Sequence, residues 1–585
     1  MSAHSLPDPC VLPQRPTLQL LKPRPIPVSV IALRLAFWTA GLLLAAAQAW
    51  VYRFSTTADS ISYLDMSDGV LPGGSWRHLI NGIWSPLYPL LIGVARRIFA
   101  FSPAHEIADA HWLNLGFFVF AFVGFEFFLR SALDRAAAAQ KASVNSVAPL
   151  LPRWAYVSVA YSLFLWASLS GITLSYLRPD MLMSGFLYLA AGMLLRMQAS
   201  PARWSRYLGL GVVLGIGYLA KAPMLPIGIL VLAASLFVVE RWRPAIKMVV
   251  AAFALTMAIG SLYFVPLSAA RGHFTLGESS AFNYLVHVDL AQPEWYLQDP
   301  GRGRGSFTHP AEKIFLSPPA YAFALPDSGT HPLKFDSSYW IEGVRPRFVL
   351  RRQAATLVQS FSKNRELLIA LIAAIALILV FGYRLLRRRD ISVFLSNWPL
   401  CVVGAAGCVM YSLVHVEGRY VGPFLVLFWS GILLGLRAQQ KLRGKLPAAI
   451  ALVIVASLLL PVGWLIYKKR SQGMGRVNTA ALVADELERV GVRAGDQVAC
   501  ICPSGKGSGL GVERIARLTV VAEVDLDRTD EFWSLPVTAQ QDLLQIFAVR
   551  GAKAVIAVSP KLDATNQSEW TRLGSTPYWV WRPAS

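Results

Sequence analysis

Charge is scarce in this chain. Charged residues fill 15% of its 585 positions and hydrophobic residues 55%, whereas a soluble domain carries roughly a quarter charged residues. A chain this long and this poor in charge lacks the polar surface to cover itself, which excludes a soluble globular protein. Acid is scarcer than base, with 34 Asp and Glu against 55 Lys and Arg, a formal net charge of +21. Nucleic-acid binding is not the reading of that excess, because the basic residues sit at the ends of apolar runs and not in a patch interleaved with aromatics. Cysteine is nearly absent: there are five, in no zinc or redox spacing. Cys401 and Cys408 lie in one apolar run and read as packing residues. Cys500 and Cys502 fall in a predicted strand and are expected to face opposite ways, against a shared metal. No internal repeat, low-complexity tract or cleavable leader is evident. The first apolar run is long enough to span and has no small-residue cleavage site behind a short apolar core.

What is present is a series of apolar runs near or beyond 18 residues, clearest at Val28–Val51, Ile246–Ala269, Leu367–Leu386 and Pro447–Tyr467. About 20 helical residues cross the hydrocarbon core of a bilayer. The fold class is therefore an all-α polytopic membrane protein, with spans expected near 28–51, 108–130, 154–172, 180–197, 205–220, 222–239, 245–269, 364–386, 394–414, 420–437 and 446–467, about eleven in all. A proline-rich stretch, 1–27, precedes them and reads as disordered.

Basic residues orient the series, since cytoplasmic connections carry the excess of Lys and Arg. With the N-terminus inside, the inner connections hold Arg15, Lys22 and Arg24, then Arg130 to Arg153, Arg196 to Arg206, Arg241 to Lys247, Arg384 to Arg389, and Arg437 to Lys445. Ser85–Phe101 is apolar but short and carries Arg96 and Arg97. Counting it as a span would put every later basic loop outside, so it is expected to lie on the outer surface. Lys468, Lys469 and Arg470 then fall outside, against the bias. Three sizeable outer pieces result: the loop 52–107, the loop 270–363, and the tail 471–585. The tail reads as a small α/β domain, with helices at Thr479–Val490 and Ala539–Val549 and strands at Gln497–Ile501, Leu518–Val524 and Ala554–Val558.

The candidate chemistry lies at the outer ends of the spans. Asp59 follows the first span at the start of a predicted surface helix, where free N–H groups and the helix dipole favour an ionised carboxylate. It reads either as a helix cap or as a group that accepts a proton or binds a cation. Tyr63 is one turn on, while Asp65 and Asp68 on the same helix are expected to be solvated. Arg178 and Asp180 flank Pro179 at the membrane edge, where unpaired charge is costly; they read as a mutual ion pair or a helix start, or Asp180 reads as a second acid that binds the donor phosphate through a cation or binds the acceptor. Lys221 interrupts an apolar run at the outer surface and either snorkels or holds a phosphate. His415, Glu417, Arg419 and Tyr420 form another outer junction, in which Arg419 can grip phosphate with two N–H groups. In the long loop, Gly301 to Gly305 and Asp336 to Trp340 are weak signals for anion binding and sugar stacking. The glycine-rich stretch Pro503 to Gly511 matches neither phosphate-loop pattern and reads as a structural loop.

These residues, in this order and on one side, resemble the GT-C glycosyltransferases. The resemblance is carried by the acid early in the first outer loop, the helix Asp59, Ser60, Tyr63, Leu64, the stretch Trp84 to Leu91, and the late Arg419–Tyr420 leading to Pro423 and Leu427. It is strongest toward the bacterial dolichyl-phosphate-mannose-transferase-like branch, near the protein O-mannosyltransferases and aminoarabinose transferases. The resemblance implies a GT-C-like membrane domain over 28–470 and transfer of a sugar from a polyprenyl-phosphate donor to a lipid, glycan or protein acceptor outside the cytoplasmic membrane. It implies Asp59 as the catalytic residue, with Tyr63, Arg178, Asp180, Lys221, His415, Glu417, Arg419 and Tyr420 around the substrate. No cofactor is required, and a divalent cation held by Asp59 and Asp180 is the alternative. The partners implied are the lipid-linked donor, the acceptor and membrane lipids, without nucleic acid. A lipid-linked glycan flippase, a glycan polymerase or ligase, and a catalytically inactive assembly component are the rival readings.

Overall fold

The computed structural model describes residues 30–142, 151–198, 202–239, 242–290, 298, 303–323, 329–369, 397–435, 445–502, 510–558 and 569–583. The proline-rich N-terminus, most of the span expected at 364–386 and the glycine-rich 503–509 stretch lie outside these residues.

The apolar runs form helices: α1 Val30–Val51, α2 Ala58–Ser67, α3 Leu87–Phe99, α4 Glu106–Ala142, α5 Arg153–Trp166, α6 Asp180–Gln198, α7 Trp204–Ala220, α8 Met224–Phe237 and α9 Trp242–Arg271. After the long loop, with α10 Ser279–His287, come α11 Leu350–Ile369, α12 Trp398–Ser412, α13 Gly418–Gly435 and α14 Lys445–Ser471. Among the described residues seven helices are long and apolar enough to cross a membrane. Helices α8 and α12 are apolar but shorter. At 1.5 Å per residue, about 20 residues are needed to cross.

Small residues let the helices approach closely, the usual means of packing where lipid is as apolar as the side chains. Helix α4 lies on α6 where Gly124 meets Gly185; a methyl group on Gly124 would stand 2.7 Å from the Gly185 carbonyl oxygen. Gly171 is similarly pressed against Gly418 at the start of α13. Gly171 belongs to a π-helical turn, Ala167–Ile172, that continues α5. Such turns interrupt the regular ladder and often re-aim the chain near functional sites. Here the turn is followed by Thr173, whose positive φ of 66° directs the chain into the Ser175 to Asp180 connection.

Helix α3 is the segment whose crossing was in question. It has 13 residues, about 20 Å of helix, which is too short to span. Val94, Ile98 and Phe99 are exposed along it. A helix lying on the surface would let both of its arginines reach water or lipid phosphate, but Arg96 is buried and bonds Asp68 at 2.6 Å and Glu106 at 3.0 Å. A buried guanidinium needs such anions to replace water.

The tail forms a mixed sheet that it does not complete alone. Its strands are β5 Gln497–Ile501, β6 Thr519–Val524, β7 Ala554–Val558, β8 Trp570–Arg572 and β9 Tyr578–Trp581. The long loop between α9 and α11 adds β2 Glu312–Phe315 and β3 Ala320–Ala322, giving the order β2-β3-β6-β5-β7-β9-β8. Strand β5 is parallel to β6 and β7, and the other pairings are antiparallel. In the same loop β1 Arg304–Gly305 pairs with β4 Val344–Arg345. Two apolar layers cover the two faces, one around Val498, Val520 and Leu487, the other around Ala499, Val555 and Phe547.

The expectation for Cys500 and Cys502 is overturned. Residues two apart on a strand point to the same face, and here both sulfurs lie in one apolar layer and are joined as a disulfide. The same period brings two sulfur ligands within reach of one ion.

Candidate active site

Four helix ends meet at one place: the start of α2, the start of α6, the end of α7 and the start of α13. Helix α2 is capped by Thr57, whose hydroxyl accepts from the Ser60 N–H. Asp59 is therefore not the cap. It lies in the first turn and its carboxylate is 32% exposed. Arg178 Nε and Arg419 Nη1 each stand 3.9 Å from Asp59 Oδ2. At that distance both cations are ion-pair neighbours of the carboxylate, but neither makes a direct hydrogen bond.

Asp180 opens α6 and its side chain is only 3% exposed. Lys221, at the end of α7, holds Oδ1 at 2.5 Å, and Arg419 Nη1 lies 3.9 Å from Oδ2. Arg419 also bonds Glu417 Oε2 at 2.5 Å through Nε, and His415 Nε2 lies 3.1 Å from Glu417 Oε1. Burial alone would raise the Glu417 carboxyl, but the bonds from His415 and Arg419 and the Arg419 charge outweigh it and hold the group well below the usual carboxylate range. The Tyr420 ring centroid lies 4.5 Å from both Lys221 Nζ and the Arg419 guanidinium carbon, so one ring is approached by two cations. Tyr63 is buried against Trp84 and Tyr88. Burial first, then the charges of Asp59 and Asp180, raise its phenol well above the ordinary value, so it stays neutral.

The nine residues singled out in the sequence thus lie around one cluster of three cations and three carboxylates. Arg178 pairs across to Asp59, not with its neighbour Asp180. Two buried polar atoms in the cluster, Arg178 Nε and Asp180 Oδ2, have no hydrogen-bond partner among the described residues. Such atoms call for a ligand or water. One residue went unnoticed: His287, at the end of α10, stacks on His415 with ring centroids 3.9 Å apart. Burial, and next the neighbouring His415, push the His287 imidazole down to about 4. Nothing local in the sequence signals this contact.

Asp65 and Asp68 are ion-paired, not simply solvated as expected, and Asp68 keeps partial exposure. Asp65 is buried and accepts from the Thr330 N–H at 2.9 Å and the Thr330 hydroxyl at 2.8 Å. Arg514, from the tail, forks onto Asp65 at 2.7 Å, Asp68 at 2.5 Å and Glu106 at 2.8 Å. The tail therefore grips the same helix that carries Asp59. In the long loop, Asp336 bonds Arg271 at 2.6 Å and Trp340 is buried, so neither stands open to stack on a sugar. Gly301 and Arg302 lie outside the described residues.

No family model matches the chain, and no curated protein matches it. Among solved structures it is similar to ArnT from Cupriavidus metallidurans in the apo state, with 12% identity, a TM-score of 0.48, and 94% of this chain and 98% of that one covered. The same ArnT bound to undecaprenyl phosphate gives a TM-score of 0.41 at 12% identity, over 94% and 98% of the two chains. The apo oligosaccharyltransferase from Archaeoglobus fulgidus gives 0.44 at 12% identity, over 89% of this chain and 69% of that one.

Proposed function

We propose that this chain is a membrane glycosyltransferase that moves a sugar from a polyprenyl-phosphate donor to an acceptor on the outer face of the cytoplasmic membrane. The observation that carries the reading is the Asp59 carboxylate. It is partly exposed, carries no side-chain hydrogen bond among the described residues, and stands beside the cations Arg178 and Arg419. Asp59 takes the proton of the acceptor hydroxyl as its oxygen attacks C1 of the sugar. The bond from C1 to the phosphate oxygen breaks, and charge grows on the leaving lipid phosphate. Lys221, Arg178 and Arg419 stabilise that charge; a guanidinium has five N–H donors and an ammonium three, so pairing with Asp180 and Glu417 leaves donors free. Asp180 holds Lys221 and Arg419 in place. A divalent ion bridging Asp59 and Asp180 would have to displace Arg419, which approaches an oxygen of each at 3.9 Å. The reading therefore assigns the positive charge to side chains.

Arg419→Lys keeps the charge and loses the planar fork. It is expected to lower kcat/KM by about 10²-fold, within the range for losing one transition-state donor. The check is purified protein with lipid-linked donor; turnover within a few-fold of wild type removes Arg419 from the phosphate site. For the function as a whole, the lipid and glycan profile of a deletion strain is decisive. An accumulated polyprenyl-phosphate sugar with one glycan missing supports the reading, and an unchanged profile overturns it.

The site is assigned to the outer face by topology. With the N-terminus inside, eleven spans place the tail outside, and a disulfide at Cys500–Cys502 suits an oxidising compartment. Thr571 is exposed on β8. A cysteine there, with Cys10, Cys401 and Cys408 replaced, is expected to react with a membrane-impermeant thiol reagent in intact spheroplasts. Labelling that needs broken membranes would place the tail inside and reverse the topology.

A further inference from the structure

Beneath α15 Leu510–Ile515, one face of the tail sheet carries a polar cluster that plays no part in the reading above. Cys500 and Glu523 are cross-strand neighbours on β5 and β6. Cys502 follows on the face of Cys500, and Glu513 stands over the pair. One oxygen of Glu513 and the two sulfurs all lie within 4.8 Å of one another. Glu513 is 0% exposed. Among the described residues its Oε2 has no hydrogen-bond partner, and neither has Glu523 Oε1 or His331 Nδ1, both on buried side chains. His331 and Glu523 are joined through their other atoms at 2.9 Å.

A fully buried carboxyl with an unpartnered oxygen is costly unless a proton or a cation compensates it. The disulfide offers neither, because an oxidised sulfur has no hydrogen to donate and no charge. Two sulfurs and a carboxylate on one face are, however, a donor set for a thiophilic divalent cation. Tetrahedral zinc takes thiolate sulfur at about 2.3 Å and carboxylate oxygen at about 2.0–2.2 Å. Donor atoms on one zinc are then roughly 3.3–3.8 Å apart; Glu513 Oε1 already lies 3.9 Å from Cys500 Sγ, and the two sulfurs, joined in the disulfide, are free to separate to that spacing by side-chain rotation once reduced.

We propose that Cys500, Cys502 and Glu513 form a binding site for Zn²⁺ when the cysteines are reduced, and that the disulfide is the metal-free, oxidised state of the same site. Reduction by a dithiol delivers two electrons and two protons, giving two thiols and the disulfide of the reductant. Zn²⁺ then displaces both thiol protons to solvent and takes the Glu513 carboxylate as a third ligand. The fourth position falls to water or to Glu523. Thiolate donors select soft or borderline ions over Mg²⁺ and Ca²⁺. The site lies apart from the Asp59 cluster and does not depend on the glycosyl-transfer reading.

The test uses the full chain in detergent, treated with a dithiol, desalted, loaded with Zn²⁺ and desalted again over a weak chelator. Reduced wild type is expected to keep one zinc per chain by elemental analysis, and the untreated oxidised chain none. Glu513→Gln is expected to weaken zinc binding by at least 10-fold, and Cys500→Ser/Cys502→Ser to abolish it. Because the double variant removes a buried disulfide, Cd²⁺ provides a reading on wild type alone: an ultraviolet thiolate-to-metal band after reduction and none before. Reduced wild type without zinc, or equal zinc in the double variant, overturns the proposal. A Cd²⁺ band of equal strength before reduction does so as well.

Discussion

Asp59→Asn is expected to fold and insert normally and to lose sugar transfer by about 10²–10⁴-fold, the range a positioned proton acceptor contributes. The amide has nearly the shape of the carboxylate. Thr57, not Asp59, caps the helix, so the start of α2 keeps its hydrogen bond to Ser60. The loss should fall on kcat, with the KM for the lipid donor little changed, because Lys221 and Arg419 remain. Arg419 keeps Asp180 and Glu417 as counter-charges when the Asp59 charge is removed. A single-turnover assay with purified protein checks this, with thermal unfolding confirming that the variant is intact. Transfer within a few-fold of wild type would falsify the assignment of Asp59.

Arg514→Met is expected to destabilise the chain by about 3–5 kcal/mol, the cost of removing one partner from a buried ion pair. Methionine has a similar length and no charge. Arg514 is 3% exposed and faces Asp65, Asp68 and Glu106, of which Asp65 and Glu106 are themselves buried. Arg96 and Arg517 still reach Glu106, and Arg96 still reaches Asp68, but among these cations only Arg514 contacts Asp65. The midpoint of thermal unfolding in detergent reads the loss directly. A midpoint equal to that of wild type would show that the tail does not anchor α2. The same cluster predicts an acid limit. Burial alone would raise the Asp68 carboxyl, but the bonds and charges of Arg514 and Arg96 hold it at about 2, below its ordinary 3.8. Its contribution is therefore complete above pH 3.8 and fades as the pH falls toward 2. In Arg514→Met that acid-dependent loss should shrink.

The two clusters differ in how far a reader of the sequence can see them. Asp59, Arg178, Asp180, Lys221 and Arg419 each interrupt or border an apolar run, so each stands out locally, and the bias of Lys and Arg places all five on one side. Their meeting follows from topology alone. Asp65 and Asp68 look like the polar face of a surface helix, and they were read as such. Their partner lies 449 and 446 residues away in the tail, and no periodicity within either segment encodes that distance. The tail strands β5, β6 and β7 are apolar runs and legible. The β2–β3 hairpin that extends their sheet is not, because Glu312 and Lys313 are exposed and the segment is brief. Cys500 and Cys502 were read as facing opposite ways, although a spacing of two on a strand means a shared face.

The grip of Arg514 on the first outer loop has a consequence in time. Synthesis proceeds from the N-terminus at about 5–20 residues per second. Asp68 precedes Arg514 by 446 residues, so the wait between the two is roughly 20–90 s at that pace. Through that interval the acidic side of α2 is without its main counter-charge, and β2 and β3 have no β6 to join. The helix that bears Asp59 therefore reaches its final setting only when the last fifth of the chain has emerged and folded against it. A nascent chain stalled before residue 514 should hold all of the proposed catalytic side chains and still lack the assembled site.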